Sequence, residues 1–194
     1  RCPPAPYERA SQVASYFKKH KPNSKVLILD PKTSFTKQAL FEEGWMKLYG
    51  YGNDGDMIEW VSGGTNAVVS LDVATKTVTT AGGERIAASV LNIIPAQKAG
   101  ALAFSAGLTD SSGWCPVAVA SFESTLHDNI HVIGDACIAN PLPKSGFAAN
   151  SEAKACALAV AALLNGREPG RTSFSNGCYS LVGDDYAISV VGIY

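Results

Sequence analysis

Apolar residues recur at helical spacing near the start of the chain, at Ala10, Val13, Ala14 and Phe17, and predict an amphipathic helix. Pro6 suits the first helical turn, and Glu8 suits the positive end of the helix dipole. Lys18, Lys19, His20 and Lys21 favour the opposite end, and Pro22 stops the run. Lys25 to Asp30 (KVLILD) then reads as a short, buried strand of the parallel kind. A helix feeding such a strand belongs to an alternating α/β unit. A second helix is predicted from about Thr36 to Leu48, followed by a Gly/Asp-rich loop from Gly50 to Asp56. Beyond it, Met57 to Val61, Ala67 to Val73 and Lys76 to Thr80 read as short strands forming a small antiparallel excursion. Val90 to Ile94 predicts a return to a buried strand.

Pro95 marks an expected boundary. After it the pattern predicts a short helix from Lys98 to Ala106 and a strand from Ile130 to Ile133 that ends in Gly134-Asp135. A long Ala-rich helix follows from Ser145 to Leu164, closed by Asn165-Gly166. Gly170 to Gly177 reads as a loop, and Tyr179 onward as strands of a further unit.

Composition narrows the class. The chain has 194 residues, 46 % hydrophobic and 17 % charged, with a formal net charge of -1, room for one medium domain or parts of two. Without a basic stripe, a nucleic-acid partner is not expected. No apolar run reaches the roughly 20 residues of a membrane span. Cys156 to Leu164 is therefore expected to be a buried helix, and no transmembrane segment is expected. A first residue Arg1 and an abrupt apolar end at Tyr194 suggest a piece of a longer polypeptide, in which a signal peptide can be neither shown nor excluded.

Five cysteines cannot all pair internally. Cys137 and Cys156, in Ala-rich surroundings, read as inert core residues, and Cys115 in Gly-Trp-Cys-Pro as part of a turn. Cys2 and Cys178 differ, each flanked by residues that bend or expose the chain. His127 and His131 precede or sit in the predicted strand, share no helical face, and are not expected to bind metal.

The strongest local signal is the apolar strand ending in Gly134-Asp135. It would place a carboxylate at the carboxyl end of a strand, where open α/β sheets bind ligands. A strand-ending turn explains the same dipeptide. Ala139 to Phe147 (ANPLPKSGF), with Lys144 and Ser145, then leads into a helix start, which favours negative charge. Strand, acid, loop and helix start together form a plausible flavin cradle, although Lys144 and Ser145 also fit an ordinary helix cap. The helix at Pro6 is preceded by Arg1-Cys-Pro-Pro-Ala-Pro6, where a dinucleotide-binding unit would carry G-x-G-x-x-G. Prolines remove the amides that cradle a pyrophosphate. This unit has the outline of a nicotinamide-binding fold without its phosphate loop, and NAD is not expected.

Six blocks in order resemble the flavin-binding subunit of flavocytochrome c sulfide dehydrogenase: RCPPAPYER (Arg1 to Arg9), LNIIPAQKAG (Leu91 to Gly100), GWCP (Gly113 to Pro116), HVIGDA (His131 to Ala136), NPLPKSGF (Asn140 to Phe147) and SNGCYS (Ser175 to Ser180). The likeness spans nearly the whole chain. The family belongs to the glutathione reductase-like flavoproteins, with sulfide:quinone oxidoreductases as cousins. The resemblance implies an α/β fold with a Rossmann-like three-layer unit and a small antiparallel excursion. Residues 1–94 would be the nicotinamide-binding-like middle domain, 95–170 the later part of a split FAD-binding domain, and 171–194 the start of an α+β C-terminal domain.

The resemblance also implies roles. Cys2 and Cys178 match the family's redox-active disulfide, Glu8 an acid near it, and Asp135, with Gly134, the acid that contacts the FAD ribityl chain. The FAD fingerprint, with the cysteine that holds FAD covalently, would lie upstream of Arg1. The implied function is oxidation of sulfide to sulfur or polysulfide through the disulfide and FAD, with a cytochrome c subunit as acceptor and a periplasmic location. A quinone-linked cousin and a non-catalytic piece are the alternatives. A bridge between cysteines so far apart in sequence also fits a purely structural role, worth on the order of 5 kcal/mol, and the resemblance is what favours the redox role.

Overall fold

The computed structural model describes residues 3–194. In chain order its elements are α1 (Ala5–His20), β1 (Val26–Asp30), α2 (Gln38–Tyr49), β2 (Ile58–Ser62), β3 (Val68–Asp72), β4 (Thr77–Thr80), β5 (Arg85–Ala87), α3 (Ala101–Ser105), β6 (Cys115–Ala118), β7 (Glu123–Ser124), β8 (Cys137–Ile138), α4 (Gly146–Leu164), β9 (Ser175–Gly183) and β10 (Tyr186–Ile193). The architecture is mixed α/β with several small sheets. The described residues divide into two units, one of Pro4–Ile94 with Tyr179–Ile188, the other of Pro95–Cys178 with Pro3 and Ser189–Tyr194.

In the first unit α1 begins where expected, with proline in its first turn and Lys18, Lys19 and His20 in its last. Its buried stripe is Tyr7, Ala10, Ser11 and Ala14, shifted from the expected one, and Val13 stays exposed. Ser11 tolerates burial because its hydroxyl donates to the Tyr7 carbonyl and accepts from Trp45 Nε1, both at 2.7 Å. β1 pairs in parallel with β2, Val26 opposite Ile58 and Asp30 opposite Ser62. The Met57 to Val61 run therefore belongs to the parallel pair and not to the antiparallel excursion, which is built from β3, β4 and β5. Val90 to Ile94 forms no strand, and Val90 is 83 % exposed. An apolar run states a preference for burial but names no partner strand. The core gathers Tyr7, Phe41, Trp45, Tyr49 and Ile58 with Val182 and Ile188 of the β9–β10 hairpin. At Gly44 on α2 a Cβ would meet Val182 Cγ1 at 2.8 Å, so helix and hairpin approach too closely for any side chain.

In the second unit β6 pairs antiparallel with β7 and parallel with β8, Cys115 opposite Cys137. Cys115 thus opens a strand and is fully buried, where a turn was expected. Phe122, Cys137, Leu142, Ala155 and Phe174 form the core, Phe122 and Phe174 meeting edge-on at 5.7 Å. The expected strand from Ile130 to Ile133 is absent. His131 makes one isolated bridge to Glu123, and a 3-10 turn over Gly134–Ala136 follows.

The long helix α4 starts at its Ser145 cap, whose side chain accepts from Ala148 N at 3.1 Å. It docks through Ala148, Glu152, Ala155 and Ala159. This narrow stripe of small residues covers little of the helix, so the expected buried run is largely exposed: Leu158 is 68 % and Leu164 82 % accessible. By length and composition alone α4, with 19 residues, is long and apolar enough to cross a membrane.

Candidate functional site

The sequence-predicted residues fall in three places. Cys2 lies outside the described residues, so the expected Cys2–Cys178 pairing does too. Glu8 sits half-buried in the first turn of α1, and its Oε1 accepts from Leu181 N on β9 at 2.9 Å. The acid is thus a backbone anchor for the strand that also carries Cys178. Glu8 borders an open groove of about 550 Å³ along α1, but every lining residue belongs to that one helix, so nothing is enclosed.

Gly134, Asp135, Lys144 and Ser145 are gathered around the start of α4. Gly134 begins the 3-10 turn with φ +73°, a backbone conformation natural to glycine. Asp135 follows it, exposed. The turn is held from two sides. Glu152 of α4, 3 % exposed, accepts from Gly134 N at 2.6 Å. Lys144 Nζ donates to the carbonyls of Asp135 at 2.7 Å and Cys137 at 2.5 Å, and lies 4.3 Å from the Trp114 ring centroid. Gly134, Lys144, Glu152, Trp114 and Cys137 help line a cavity of about 330 Å³. Burial first, then the Glu152 carboxylate, pushes the Cys137 thiol up to about 12, so it remains protonated at neutral pH. Burial likewise raises the Cys115 and Cys156 thiols.

Ser145 connects this region to Cys178. Its hydroxyl caps α4 and donates to Asn176 Oδ1 at 2.5 Å, and Asn176 Nδ2 lies 3.4 Å from Cys178 Sγ. Asn176 is 4 % exposed, and Cys178 is half-buried on β9. Sequence reasoning singled out neither Asn176 nor Glu152 for a role. The one signal for Asn176 was its place two residues before a singled-out cysteine.

A second polar cluster lies at the end of β1. Asp30, 3 % exposed, receives Tyr7 Oη at 2.5 Å, Trp60 Nε1 at 3.2 Å and Lys32 Nζ at 2.7 Å. Burial pushes its carboxyl up, but the hydrogen bonds from Lys32, Tyr7 and Trp60 outweigh burial and hold it below the usual carboxylate range. Burial, reinforced by Asp30, raises the Tyr7 hydroxyl far above its ordinary value. Dinucleotide-binding units place a ribose-binding acid at about this point. Here the acid is engaged by the protein itself.

His127 Nε2 and His131 Nδ1 each face a backbone carbonyl, Gly107 O at 3.1 Å and Ser121 O at 2.9 Å. Among the described residues no group of three or more His, Cys, Asp or Glu could hold a metal ion.

Residues 1–95 are similar to the flavoprotein subunit of an oxidoreductase. Residues 1–95 match the family described as sulfide dehydrogenase (flavocytochrome c) flavoprotein chain, central. The matched segment contains Cys2 and Glu8, while Gly134, Asp135, Lys144, Ser145 and Cys178 lie beyond it.

Proposed function

We propose that the chain oxidises sulfide as part of a flavocytochrome c sulfide dehydrogenase, with Cys2 and Cys178 as its redox disulfide, FAD as cofactor and a cytochrome c subunit as acceptor, in the periplasm. The observation that carries this reading is the family match over residues 1–95, the segment that holds Cys2 and Glu8. In this reading residues 1–94 form a Rossmann-like middle domain, 95–170 part of a FAD-binding domain and 171–194 the start of a C-terminal domain. The residues near α4 fit part of a flavin: a braced glycine turn, a helix start and a cavity of about 330 Å³, a volume suited to one portion of so large a molecule. Gly134, Asp135, Lys144 and Ser145 would hold it.

The chemistry follows from thiol exchange. Hydrosulfide attacks the Cys2 sulfur; the S–S bond breaks, Cys2 becomes a persulfide, and Cys178 leaves as a thiolate holding the electron pair. A second hydrosulfide removes the outer sulfur of the persulfide as polysulfide and leaves a Cys2 thiol. Removing two electrons and one proton from that thiol and the Cys178 thiolate closes the disulfide again. When bound, the flavin supplies the two-electron acceptor for that closure. Arg1 favours the thiolate by its charge, and Glu8 is the acid available to manage protons.

A second reading, a sulfide:quinone oxidoreductase docked on a membrane, is favoured by one observation, the exposed apolar length of α4. The test of both is a visible spectrum of the flavin-loaded protein during sulfide addition. Bleaching that disappears in Cys178→Ser supports the disulfide mechanism; bleaching indifferent to both cysteines, or none, removes it. Reoxidation by cytochrome c rather than a quinone then selects the first reading.

A further inference from the structure

Ser145, Asn176 and Cys178 form a directed chain of hydrogen bonds. The Ser145 oxygen accepts from Ala148 N, so its own hydrogen is left to donate, and 2.5 Å to Asn176 Oδ1 is the length of an O–H···O bond. With its oxygen held there, the Asn176 amide turns its N–H side closest to Cys178: Nδ2 lies 3.4 Å from Sγ, while Oδ1, shared with Ser145, accepts from the thiol at the longer 3.9 Å. The amide is 4 % exposed, so little water competes for that donor. Its orientation is set by the cap of a 19-residue helix.

We propose that Asn176 is a positioning residue for the Cys178 sulfur, its amide N–H, aimed by Ser145, stabilising the thiolate over the thiol. The inference rests on the reading of Cys178 as one of the two redox sulfurs. The thiolate is both the leaving group when sulfide opens the disulfide and the nucleophile when the disulfide closes. A hydrogen bond to a charged acceptor is roughly twice as strong as one to a neutral acceptor, so the donor discriminates between the two forms. No bond is made or broken by Asn176, and no proton leaves it.

The experiment is alkylation of the reduced protein by iodoacetamide, followed at the Cys178 peptide by mass spectrometry from neutral to alkaline pH. Asn176→Asp keeps the shape and the acceptor for Ser145 but replaces the N–H with a second oxygen. Its Cys178 is expected to react about tenfold more slowly at neutral pH, recovering only at higher pH, as loss of a hydrogen bond to a charged group requires. Ser145→Ala, which releases the amide to rotate, is expected to shift the profile the same way by a smaller factor. A parent-like rate and pH profile in Asn176→Asp would overturn the proposal. Should that variant lose its cooperative melt, Ser145→Ala decides alone, and a parent-like profile there overturns it equally. Failure of the disulfide mechanism reads differently: sulfide would leave the flavin spectrum unchanged while the alkylation rates still responded to Asn176.

Discussion

Replacing Glu152 tests whether the turn at Gly134 is braced as described. Its carboxylate is 3 % exposed and accepts from Gly134 N at 2.6 Å, with Cys137 Sγ a further 3.8 Å contact. Glu152→Ala strips the acceptor from a half-buried N–H and enlarges the cavity beside it. Leaving such a donor unsatisfied costs about 1–3 kcal/mol, partly offset because a carboxylate no longer has to be desolvated. A net loss of about 2 kcal/mol would lower Tm by about 4–8 °C in a chain of this size. Glu152→Gln retains an oxygen for Gly134 and removes the charge, so its melt is expected within about 2 °C of the parent. Differential scanning calorimetry of the three proteins gives the comparison, and absorbance at the flavin band gives cofactor loading. Loading should fall in the Ala variant and persist in the Gln variant. An Ala variant as stable and as fully loaded as the parent would show that the turn needs no such brace.

Other consequences follow from the same structure. In Glu152→Gln the Cys137 thiol, pushed up to about 12 by burial and by that carboxylate, should titrate lower, as read by thiolate absorbance in the ultraviolet. Tyr7→Phe keeps the ring against Phe35 but removes the 2.5 Å bond to Asp30, and should cost about 1.5–3 kcal/mol by urea denaturation. Asp30, depressed in the folded state, contributes stability that is present above the ordinary carboxylate value near 4 and is lost as pH falls through its folded value. Tyr7 contributes in the opposite sense, and its share is lost as pH climbs beyond the ordinary tyrosine value near 10. The acid limb of the stability curve should therefore flatten in Tyr7→Phe, and an unchanged limb would refute the link. Gly44→Ala gains helix propensity but drives a methyl to 2.8 Å from a fully buried Val182, so it should destabilise by about 1–3 kcal/mol in the same denaturation assay.

Local signals carried the helices. Proline and charge at the ends of α1, the αL glycine Gly50 after α2 and the Ser145 cap of α4 all act within a few residues, so sequence alone locates them. Strand pairing is a property of space. Val90 to Ile94 has the composition of a strand but joins no sheet, Ile130 to Ile133 makes only the isolated bridge of His131 to Glu123, and Ile58 to Ser62 found β1 and left the antiparallel sheet. The exposure of α4 has a related cause. Apolar content reports what a face would prefer, and Leu158 remains exposed because the docking stripe is made of alanines and Glu152. Ser145 was legible from its position before a helix. Asn176 and Glu152 were not, because their significance arises only when residues 31 and 18 positions away come within hydrogen-bond reach.

The saturated carboxylate at the end of β1 bears on any attempt to retrofit this protein with pyridine-nucleotide dependence. If the first unit is the Rossmann-like domain proposed above, a glycine loop grafted ahead of α1 would supply a seat for a pyrophosphate but leave the sugar without its customary acid, since Asp30 is already bound to Tyr7, Trp60 and Lys32. Freeing it means cutting into the aromatic packing that holds the first unit together, so a designer would trade foldedness for the new cofactor at the first substitution.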